Sequence, residues 1–325
     1  MGMAHNKPET FPRLADHLGW VPADKMLAVA EAVVTTQRDY GDREDRSHAR
    51  LKYTIADRGV KWFRHEVAQR ADVLFVERVY KPWRTPSYLG WKRAQDGSFS
   101  LGFHLLTGRI NNEGRPLQKA LRHLIEHYNL NVVITAEQDL ILLGINEGVR
   151  DEIDAYLANL GIDPQSPAKL YDRALTCVAL PMCIKALAEA ERVGPEIFRG
   201  VNHLLHKHRL ASRAPVMRIT GCPNGCARPY AAEIGLVGQL PKKYALYLGG
   251  HPEGTRLAFR AMEKVPEDDL PELLDRLFGF WKSEGEDSET LGDFVTRVDR
   301  DRLLAVLKEA DTKAIPVEIA PEATL

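Results

Sequence analysis

The sequence predicts an α+β protein, and three observations lead to this fold class. Apolar residues recur at helical spacing near the N-terminus, as in Met26, Leu27, Ala30, Val33 and Val34. Further along, alternating apolar and polar residues around a turn signal indicate paired strands between helical segments. The 325 residues, 44% of them hydrophobic, are enough for two cores of domain size. A sheet with helices packed on one face is the arrangement that this order favours.

The first segment, residues 1–81, is predicted to be mainly helical. Beyond the helix around Met26, the spacing of apolar residues predicts helices over residues 46–58 and 60–70. Residues 73–80 alternate in the manner of a strand.

The second segment, residues 82–163, is predicted to form a sheet covered by helices. Asp96 and Gly97 form a strong hairpin turn signal between two strands, and Gly161 is expected to stop the last helix. The predicted strands cover residues 88–93, 98–106, 131–136 and 140–145, and the predicted helices cover residues 116–128 and 149–160.

The third segment, residues 164–325, contains all four cysteines. Its final residues, 316–325, are expected to be ordered only if they dock. The predicted helices cover residues 184–192, 201–209, 266–283 and 300–309, and the predicted strands cover residues 216–220, 234–238 and 244–248.

Composition excludes several classes of protein. Lys and Arg total 44 and Asp and Glu total 45, a balance that argues against a general nucleic-acid binder. Residues 1–18 lack an apolar core of signal-peptide length, and no run approaches the roughly 18 apolar residues of a membrane span. Four cysteines are too few for a disulfide scaffold in a chain this long. We therefore expect a cytoplasmic protein whose cysteines are free thiols or metal ligands.

The cysteines form two pairs that only the fold can bring together. Five residues separate Cys177 from Cys183, and three separate Cys222 from Cys226. Four thiolates suit either tetrahedral zinc or an iron–sulfur cluster. The five-residue gap is wide for structural zinc, and a larger cluster accommodates wider gaps. A third interpretation is that the cysteines are four ordinary buried thiols, because free cysteine packs as a small hydrophobic residue.

The sequence around the cysteines favours the cluster. Cys183 is predicted to open a helix, and Gly221, Pro223 and Gly225 predict a tight turn around the second pair. Turns of this kind direct backbone N–H groups into a concavity, where they stabilise a negatively charged cluster.

The second cysteine pair resembles the signature of the sirohaem-dependent sulfite and nitrite reductases, since residues 220–229 read TGCPNGCARP. The resemblance covers nearly the whole chain, and the VVTTQRDYG block is closer to sulfite than to nitrite reductases. Other matching stretches are VVTTQRDYG at 33–41, ARLKY at 49–53, ALAEAER at 186–192, GLVG at 235–238, LGG at 248–250 and GDF at 292–294.

This resemblance implies a fold, cofactors and an activity. It implies a ferredoxin-like subdomain over residues 82–163, and a larger mixed α/β domain for a 4Fe–4S cluster and sirohaem over residues 164–325. Residues 1–81 would be the last portion of a first, related half. All four cysteines, Cys177, Cys183, Cys222 and Cys226, would hold the cluster, and Cys226 would also be the axial ligand of the sirohaem iron. The implied reaction is the six-electron reduction of sulfite to sulfide in assimilatory sulfur metabolism.

Four further residues match family positions that contact sirohaem: Arg50, Gln138, Asn224 and Arg228. A ring of carboxylates on that cofactor calls for arginine and amide donors. Without the resemblance, we would expect Arg46 and Arg50 to lie on a solvated helix face, and the side chain of Gln138 to hydrogen-bond to the backbone at a strand end. There are two weaker candidate sites. The first is a group of three histidines, His203, His206 and His208, which we interpret as a solvated helix face. The second is the GGHPEG loop at 249–254, which we interpret as a turn.

Family members of this type extend much further at the N-terminus. The arginines and lysines that bind sulfite in the family belong to that part, so we expect this chain alone to be poorly active or inactive, as a fragment of a longer protein or as one part of a split enzyme. The resemblance implies sulfite, a complementary half, and a flavoprotein reductase or ferredoxin as partners. A nitrite reductase of the same fold and a non-catalytic zinc or thiol protein are the competing interpretations.

Overall fold

A computed structural model describes residues 10–79, 84–165 and 168–308. Within them, three main hydrophobic clusters follow one another along the chain, and a small fourth cluster lies in the third part. The helices are α1 Met26–Tyr40, α2 Leu51–Arg58, α3 Val60–Ala71, α4 Leu117–Tyr128, α5 Arg150–Asn159, α6 Gly194–Lys207, α7 Leu270–Glu284, α8 Leu291–Arg297 and α9 Arg300–Lys308. The strands are β1 Gly90–Arg93, β2 Phe99–Phe103, β3 Asn131–Ile134, β4 Leu140–Ile145, β5 Leu175–Thr176, β6 Met217–Thr220, β7 Ile234–Leu240, β8 Lys243–Leu248 and β9 Phe259–Pro266.

The first part of the chain packs α1, α2 and α3 around a small core. Phe63 and Val67 of α3 are buried against Ala32 of α1 and Ile55 of α2. The predicted helix over 46–58 begins only at Leu51, so Arg46 and Arg50 do not share a helix face. The predicted strand over 73–80 is wrong for its described residues, which form a single antiparallel bridge from Val76 to Trp20.

The second part is a four-stranded antiparallel sheet in the order β1-β2-β4-β3. The predicted hairpin is present, with Trp91 of β1 opposite Leu101 of β2. Leu121 and Leu124 of α4 and Ile153 of α5 pack on the buried side chains of β2 and β4. The turn between β3 and β4, residues 135–139, projects from this sheet toward the third part.

The third part is a five-stranded sheet in the order β5-β6-β7-β8-β9. Strands β5, β6 and β7 are parallel neighbours, and β8 and β9 add antiparallel strands. Trp281 and Phe278 of α7 and Phe198 of α6 are buried in the core that this sheet shares with the helices. In a parallel arrangement the carboxyl ends of β5 and β6 lie at the same edge, and both cysteine pairs follow those ends.

The helix predicted over residues 184–192 is wrong. The N–H groups of Leu187 and Ala188 both donate to the carbonyl oxygen of Gly221, at 2.7 and 3.0 Å, instead of to helical partners. Ala188 and Ala190 are fully buried in this irregular segment. Tertiary contacts therefore override the helix propensity of the ALAEAER stretch.

The other predicted elements agree with the structure within a few residues, except that β5, β9 and α8 were not predicted and α6 begins seven residues earlier than expected. The tail at 316–325, together with residues 80–83, lies outside the described residues. In the described part of the chain, no helix is both long and apolar enough to cross a membrane.

Candidate functional site

Cys177 is positioned by the short parallel pairing of β5 with β6. Its N–H donates to the carbonyl of Ile219 at 3.1 Å, which extends the ladder one residue past Thr176. In return the N–H of Gly221 donates to the sulfur of Cys177 at 3.2 Å. The first cysteine and the residue before Cys222 are thus in direct contact, although they are more than forty residues apart in the sequence.

The second pair lies in the tight turn that follows β6. The N–H of Gly225 donates to the carbonyl of Cys222 at 3.2 Å, and the N–H of Arg228 donates to that of Gly225 at 2.8 Å. Gly225 has a φ of +66°, and a Cβ there would lie 2.6 Å from the ring of Tyr230. The hydroxyl of Tyr230 donates a hydrogen bond to the carbonyl oxygen of Pro223 at 2.7 Å and so stabilises the turn.

Cys183 closes a loop that begins at Cys177. Its N–H donates to the carbonyl of Ala179 at 2.7 Å, which makes one tight turn and not the predicted start of a helix. The side chain of Arg192 donates to the carbonyl of Leu180 at 2.6 Å and holds the loop against the following segment.

The four thiols lie within one another's electrostatic reach. Burial raises the pKa of the Cys177 thiol, and negative charge on Cys226 and Cys222 would raise it further, against the lowering effect of the Gly221 N–H. Burial likewise raises the pKa of Cys226, with added contributions from Cys222 and Cys183. Four thiolates at this site would therefore repel one another strongly unless a cationic centre lay between them.

The thiols differ in exposure, so the quartet has a closed and an open side. Cys222 is buried, Cys177 and Cys183 are half-buried, and Cys226 is exposed. Four sulfurs around one zinc ion, each about 2.3 Å from the metal, would form one compact group. Among the residues that the structure describes, no such group of three or more His, Cys, Asp or Glu side chains is found.

Gln138 joins the turn between β3 and β4 to the first cysteine. Its side-chain amide donates to the carbonyl of Thr176 at 2.9 Å, and its side-chain oxygen accepts the N–H of Thr176 at 3.2 Å. The backbone of Gln138 has a φ of +66°, which lies in the left-handed region. Both polar groups of this side chain are therefore engaged with the residue directly before Cys177.

Arg228 contacts the same turn from the other side. Its Nη2 donates to the carbonyl of Ala136 at 3.0 Å and to Oε1 of Glu137 at 3.2 Å. Oε2 of Glu137 lies 3.6 Å from Nη2 of Arg218, a β6 residue that is 4% exposed. Two arginines that flank the Cys222–Cys226 turn thus face one carboxylate.

The remaining two candidates lie in different places. Asn224 is half-buried inside the cysteine turn. Arg50 is half-buried at the N-terminal end of α2, in the first part of the chain, where its charge lowers the pKa of Lys52 in addition to the larger effect of burial. The contacts described above join Gln138 and Arg228 to the cysteines, whereas Arg50 belongs to a separate packing unit.

Sequence reasoning did not identify Glu137, Arg218 or Thr176 as part of this site. A signal for Arg218 exists in the sequence, because an arginine interrupts the otherwise apolar start of β6. Glu137 gives no such signal, since a glutamate in a turn is ordinary and only the fold brings it to the cysteines.

The weaker candidates have structural roles. His203 and His206 are exposed, and Nε2 of His208 lies 2.6 Å from Oδ1 of Asp275. The loop at 249–254 is a turn in which Glu253 accepts hydrogen bonds from the N–H and the hydroxyl of Thr85, at 2.9 and 2.6 Å.

Comparison with known protein families finds two matches. Residues 1–75 and 173–315 match the nitrite and sulphite reductase 4Fe-4S domain. Residues 92–160 match the nitrite/sulfite reductase ferredoxin-like half domain. The first match includes all four cysteines, and the second includes the turn that carries Glu137 and Gln138.

Individual sulfite reductases and one solved structure are also similar to this chain over nearly its whole length. The chain is 41% identical over 306 residues to a sulfite reductase [ferredoxin] of Synechococcus elongatus, covering 93% of this chain and 49% of the relative. It is 42% identical over 300 residues to a sulfite reductase [NADPH] hemoprotein beta-component of Shewanella sediminis, covering 91% and 52%. The solved structure of the Mycobacterium tuberculosis NirA protein superimposes with a TM-score of 0.77 at 26% identity, over 90% of this chain and 56% of that one. The chain therefore spans about half the length of the curated relatives that it matches.

Proposed function

The chain belongs to the nitrite and sulphite reductase family, and from this membership we propose that it is the cofactor-holding part of a sulfite reductase. The reaction would be the six-electron reduction of sulfite to sulfide in sulfur assimilation. The observation that carries the proposal is the meeting of both cysteine pairs at the carboxyl ends of β5 and β6, within the stretch that matches the family's 4Fe-4S domain.

We assign the cluster to Cys177, Cys183, Cys222 and Cys226. Thiolates are the usual ligands of a 4Fe–4S cluster, and its iron would offset the mutual repulsion of the four sulfurs. The Gly221 N–H that already bonds the Cys177 sulfur is the kind of second contact that tunes such a centre.

We propose that sirohaem would lie on the open side of the same site, where Cys226 would supply its thiolate to both cofactors. The exposure of Cys226 supports this, because an exposed sulfur is accessible to a second cofactor. Asn224 and Arg228 flank it in the turn, and Arg50 and Gln138 complete the family set. When bound, the coupled pair of cofactors would pass single electrons to a substrate at the iron.

The side chains of this site would act mainly by holding and orienting. Gln138 is committed to Thr176 on both of its polar groups, so it would fix the loop of Cys177 next to the cofactor. Arg228 would present its remaining N–H groups to cofactor carboxylates, because Nη2 alone makes its contacts with Ala136 and Glu137.

The domain organisation and partners are part of the same proposal. Three hydrophobic clusters support a division into residues 1–81, 82–163 and 164–325. Since the matched relatives are about twice as long, we propose that the working enzyme includes a complementary half that supplies the sulfite-binding cations. A ferredoxin or a flavoprotein reductase would donate electrons, and the free thiols agree with a reducing compartment such as the cytoplasm.

A steady-state assay tests the choice of substrate. The chain with its complementary half, loaded with both cofactors and reduced by methyl viologen, should show a higher kcat/KM for sulfite than for nitrite. The 325-residue chain alone should be at least about 100-fold slower, because oxyanion stabilisation is a large catalytic contribution. A strong preference for nitrite would replace the proposed substrate, and full activity of the chain alone would refute the need for a second half.

A further inference from the structure

We propose that Glu137 is a positioning residue that balances the charge of Arg218 and Arg228 and so holds the Cys222–Cys226 turn in place. The role relative to the cofactors rests on the proposed function, whereas the role in fixing the turn does not. Glu137 belongs to the ferredoxin-like half domain and the two arginines belong to the cysteine domain, so the contact crosses between two packing units.

The turn that carries Glu137 is rigid. The N–H of Thr135 donates to the carbonyl of Asp139 at 2.9 Å, and the N–H of Asp139 donates back to the hydroxyl of Thr135 at 3.0 Å. The buried carboxylate of Asp139 also accepts the N–H of Leu105 at 3.0 Å. Together with the paired bonds from Gln138 to Thr176, these contacts leave Glu137 little freedom to move away from the site.

Arg218 needs a negative partner because it is buried. Its side chain is 5% exposed, and removing a guanidinium from water costs several kcal/mol unless an opposite charge compensates. In the described part of the chain, the carboxylate that pairs with it is Glu137. Nε of Arg218 and Oε2 of Glu137 are buried and have no hydrogen-bond partner. The pair therefore relies on charge and not on ideal hydrogen-bond geometry.

Other cations make this balance more important. Burial, together with the smaller effects of the charges of Arg228 and Arg173, lowers the pKa of Arg218 to about 10, and Glu137 opposes this shift. Arg173 has its own partner in Glu253 at 3.3 Å. Without Glu137, the positive charges of Arg218 and Arg228 would repel each other. Nine residues separate these two arginines in the sequence, and the cysteine turn is among them.

The contact is also placed to set the direction of Arg228. Glu137 Oε1 and the Ala136 carbonyl both bind Nη2, at one corner of the guanidinium. A planar guanidinium held at one corner keeps a fixed orientation for its other donors. Glu137 thus orients a side chain that we assign to sirohaem without touching the cofactor itself.

The test compares Glu137→Gln with a matched control in the full chain. Glu126→Gln removes a carboxylate of the same half domain whose ion pair with Arg122 is exposed, at 3.4 Å. In the cofactor-free protein, Glu137→Gln should lower the melting temperature and speed alkylation of Cys226. The double variant Glu137→Gln/Arg218→Gln should recover much of the lost melting temperature, because it removes both members of the buried pair. Glu126→Gln should behave as the wild type.

A second measurement addresses the cofactor. In the reconstituted chain, Glu137→Gln should release iron to a chelator about tenfold faster and shift the midpoint potential of the cluster, in line with loss of an outer contact around a metal site. Equal melting temperature, alkylation and iron release in Glu137→Gln and Glu126→Gln would overturn the proposal. So would a double variant no better than Glu137→Gln. If the wild type binds no iron and sulfide, the proposed function fails, and the cofactor-free measurements still decide the role of Glu137.

Discussion

Two glycines let the backbone around the cysteines pack more closely than any other residue would allow. A Cβ on Gly238 would lie 2.4 Å from the carbonyl oxygen of Gly221 and 2.7 Å from the Cβ of Ala188. A Cβ on Gly221 would lie 2.6 Å from the Ala188 carbonyl. The obstacles are backbone atoms and a short side chain, so they have little room to move. These glycines bring β7, the cysteine turn and the segment after Cys183 into contact.

Replacing Gly238 with alanine tests this close packing. Gly238→Ala should lower the free energy of unfolding by about 1–3 kcal/mol, the usual cost of overpacking a tight site. Gly200→Ala is the control, because a Cβ at that exposed position in α6 meets no atom within 4 Å and alanine favours helix. Urea denaturation should show the control unchanged or slightly stabilised. Equal effects of the two substitutions would contradict the packing argument.

Glu233 is a buried acid that ties three elements together. Its carboxylate accepts the N–H of Val216 at 2.8 Å and that of Gly292 at 2.9 Å, and it is 2% exposed. Burial raises its pKa to about 7 in spite of these two donors. The folded protein therefore binds this proton more tightly than the unfolded chain does.

The raised pKa of Glu233 predicts a pH dependence of stability. Between pH 4.5 and about 7 the folded state holds more protons, so the free energy of unfolding should fall as the pH rises, by about 3 kcal/mol from this residue. The amide of Glu233→Gln does not titrate, so urea denaturation should show the wild type losing stability relative to this variant as the pH rises through this range. Parallel curves would show that the fold does not raise the pKa of Glu233.

Asp275 links helix α7 to the C-terminal end of helix α6. Asp275 of α7 lies 2.6 Å from both the Lys207 amine and Nε2 of His208. Burial alone would raise the pKa of Asp275, but the hydrogen bonds from these two side chains lower it overall. The ionised carboxylate is thus favoured in the fold, and its contribution is present at neutral pH.

Substituting Asp275 tests how much this link stabilises the protein. Asp275→Asn should lower the free energy of unfolding by about 1 kcal/mol at pH 7, and this difference should shrink as the pH falls below the ordinary pKa of an aspartate. Lys207→Gln should cost less, because Lys207 is half exposed and exposed pairs contribute little. A cost for Asp275→Asn that stays constant down to pH 2 would argue for packing instead of charge.

The elements of the fold were predictable wherever local pattern and tertiary packing agree. The hairpin at Asp96 and Gly97 and the amphipathic helices follow from periodicity and turn chemistry. Residues 184–192 were not predictable, because the carbonyl of Gly221, more than thirty residues further along the chain, accepts the N–H groups of Leu187 and Ala188 that a helix would use. Strand β5 has only two residues, too few for any periodic signal, yet it places Cys177.

The sequence predicted the four cysteines as candidate ligands, but it did not predict the side chains that support their turns. Cysteine spacing left three kinds of site open, and the TGCPNGCARP motif selected one. Glu137 joins the site only through the packing of the half domain on the cysteine domain, which one sequence does not reveal. Thr176 directly precedes Cys177 in the sequence, but its contact with Gln138 depends on the same packing. Gln138 combines the two cases: the family resemblance singled it out, and the structure adds its paired hydrogen bonds to Thr176.

At the level of the whole molecule, the half domain and the cysteine domain meet around the cysteines. Gln138 and Arg228 form the central contacts, and Arg109 adds a link from the half domain to Glu191 at 2.6 Å. The site is thus built by two units that each have their own core. Such an arrangement couples the geometry of the cluster to the docking of the half domain.

The most direct test of the central claim is the metal and sulfide content of the chain after anaerobic reconstitution. We predict about four iron and four acid-labile sulfide per chain, with an absorption spectrum that gains sirohaem bands when that cofactor is supplied. Cys222→Ser should lose the cluster. A colourless protein that contains one zinc ion per chain and no acid-labile sulfide would contradict the account.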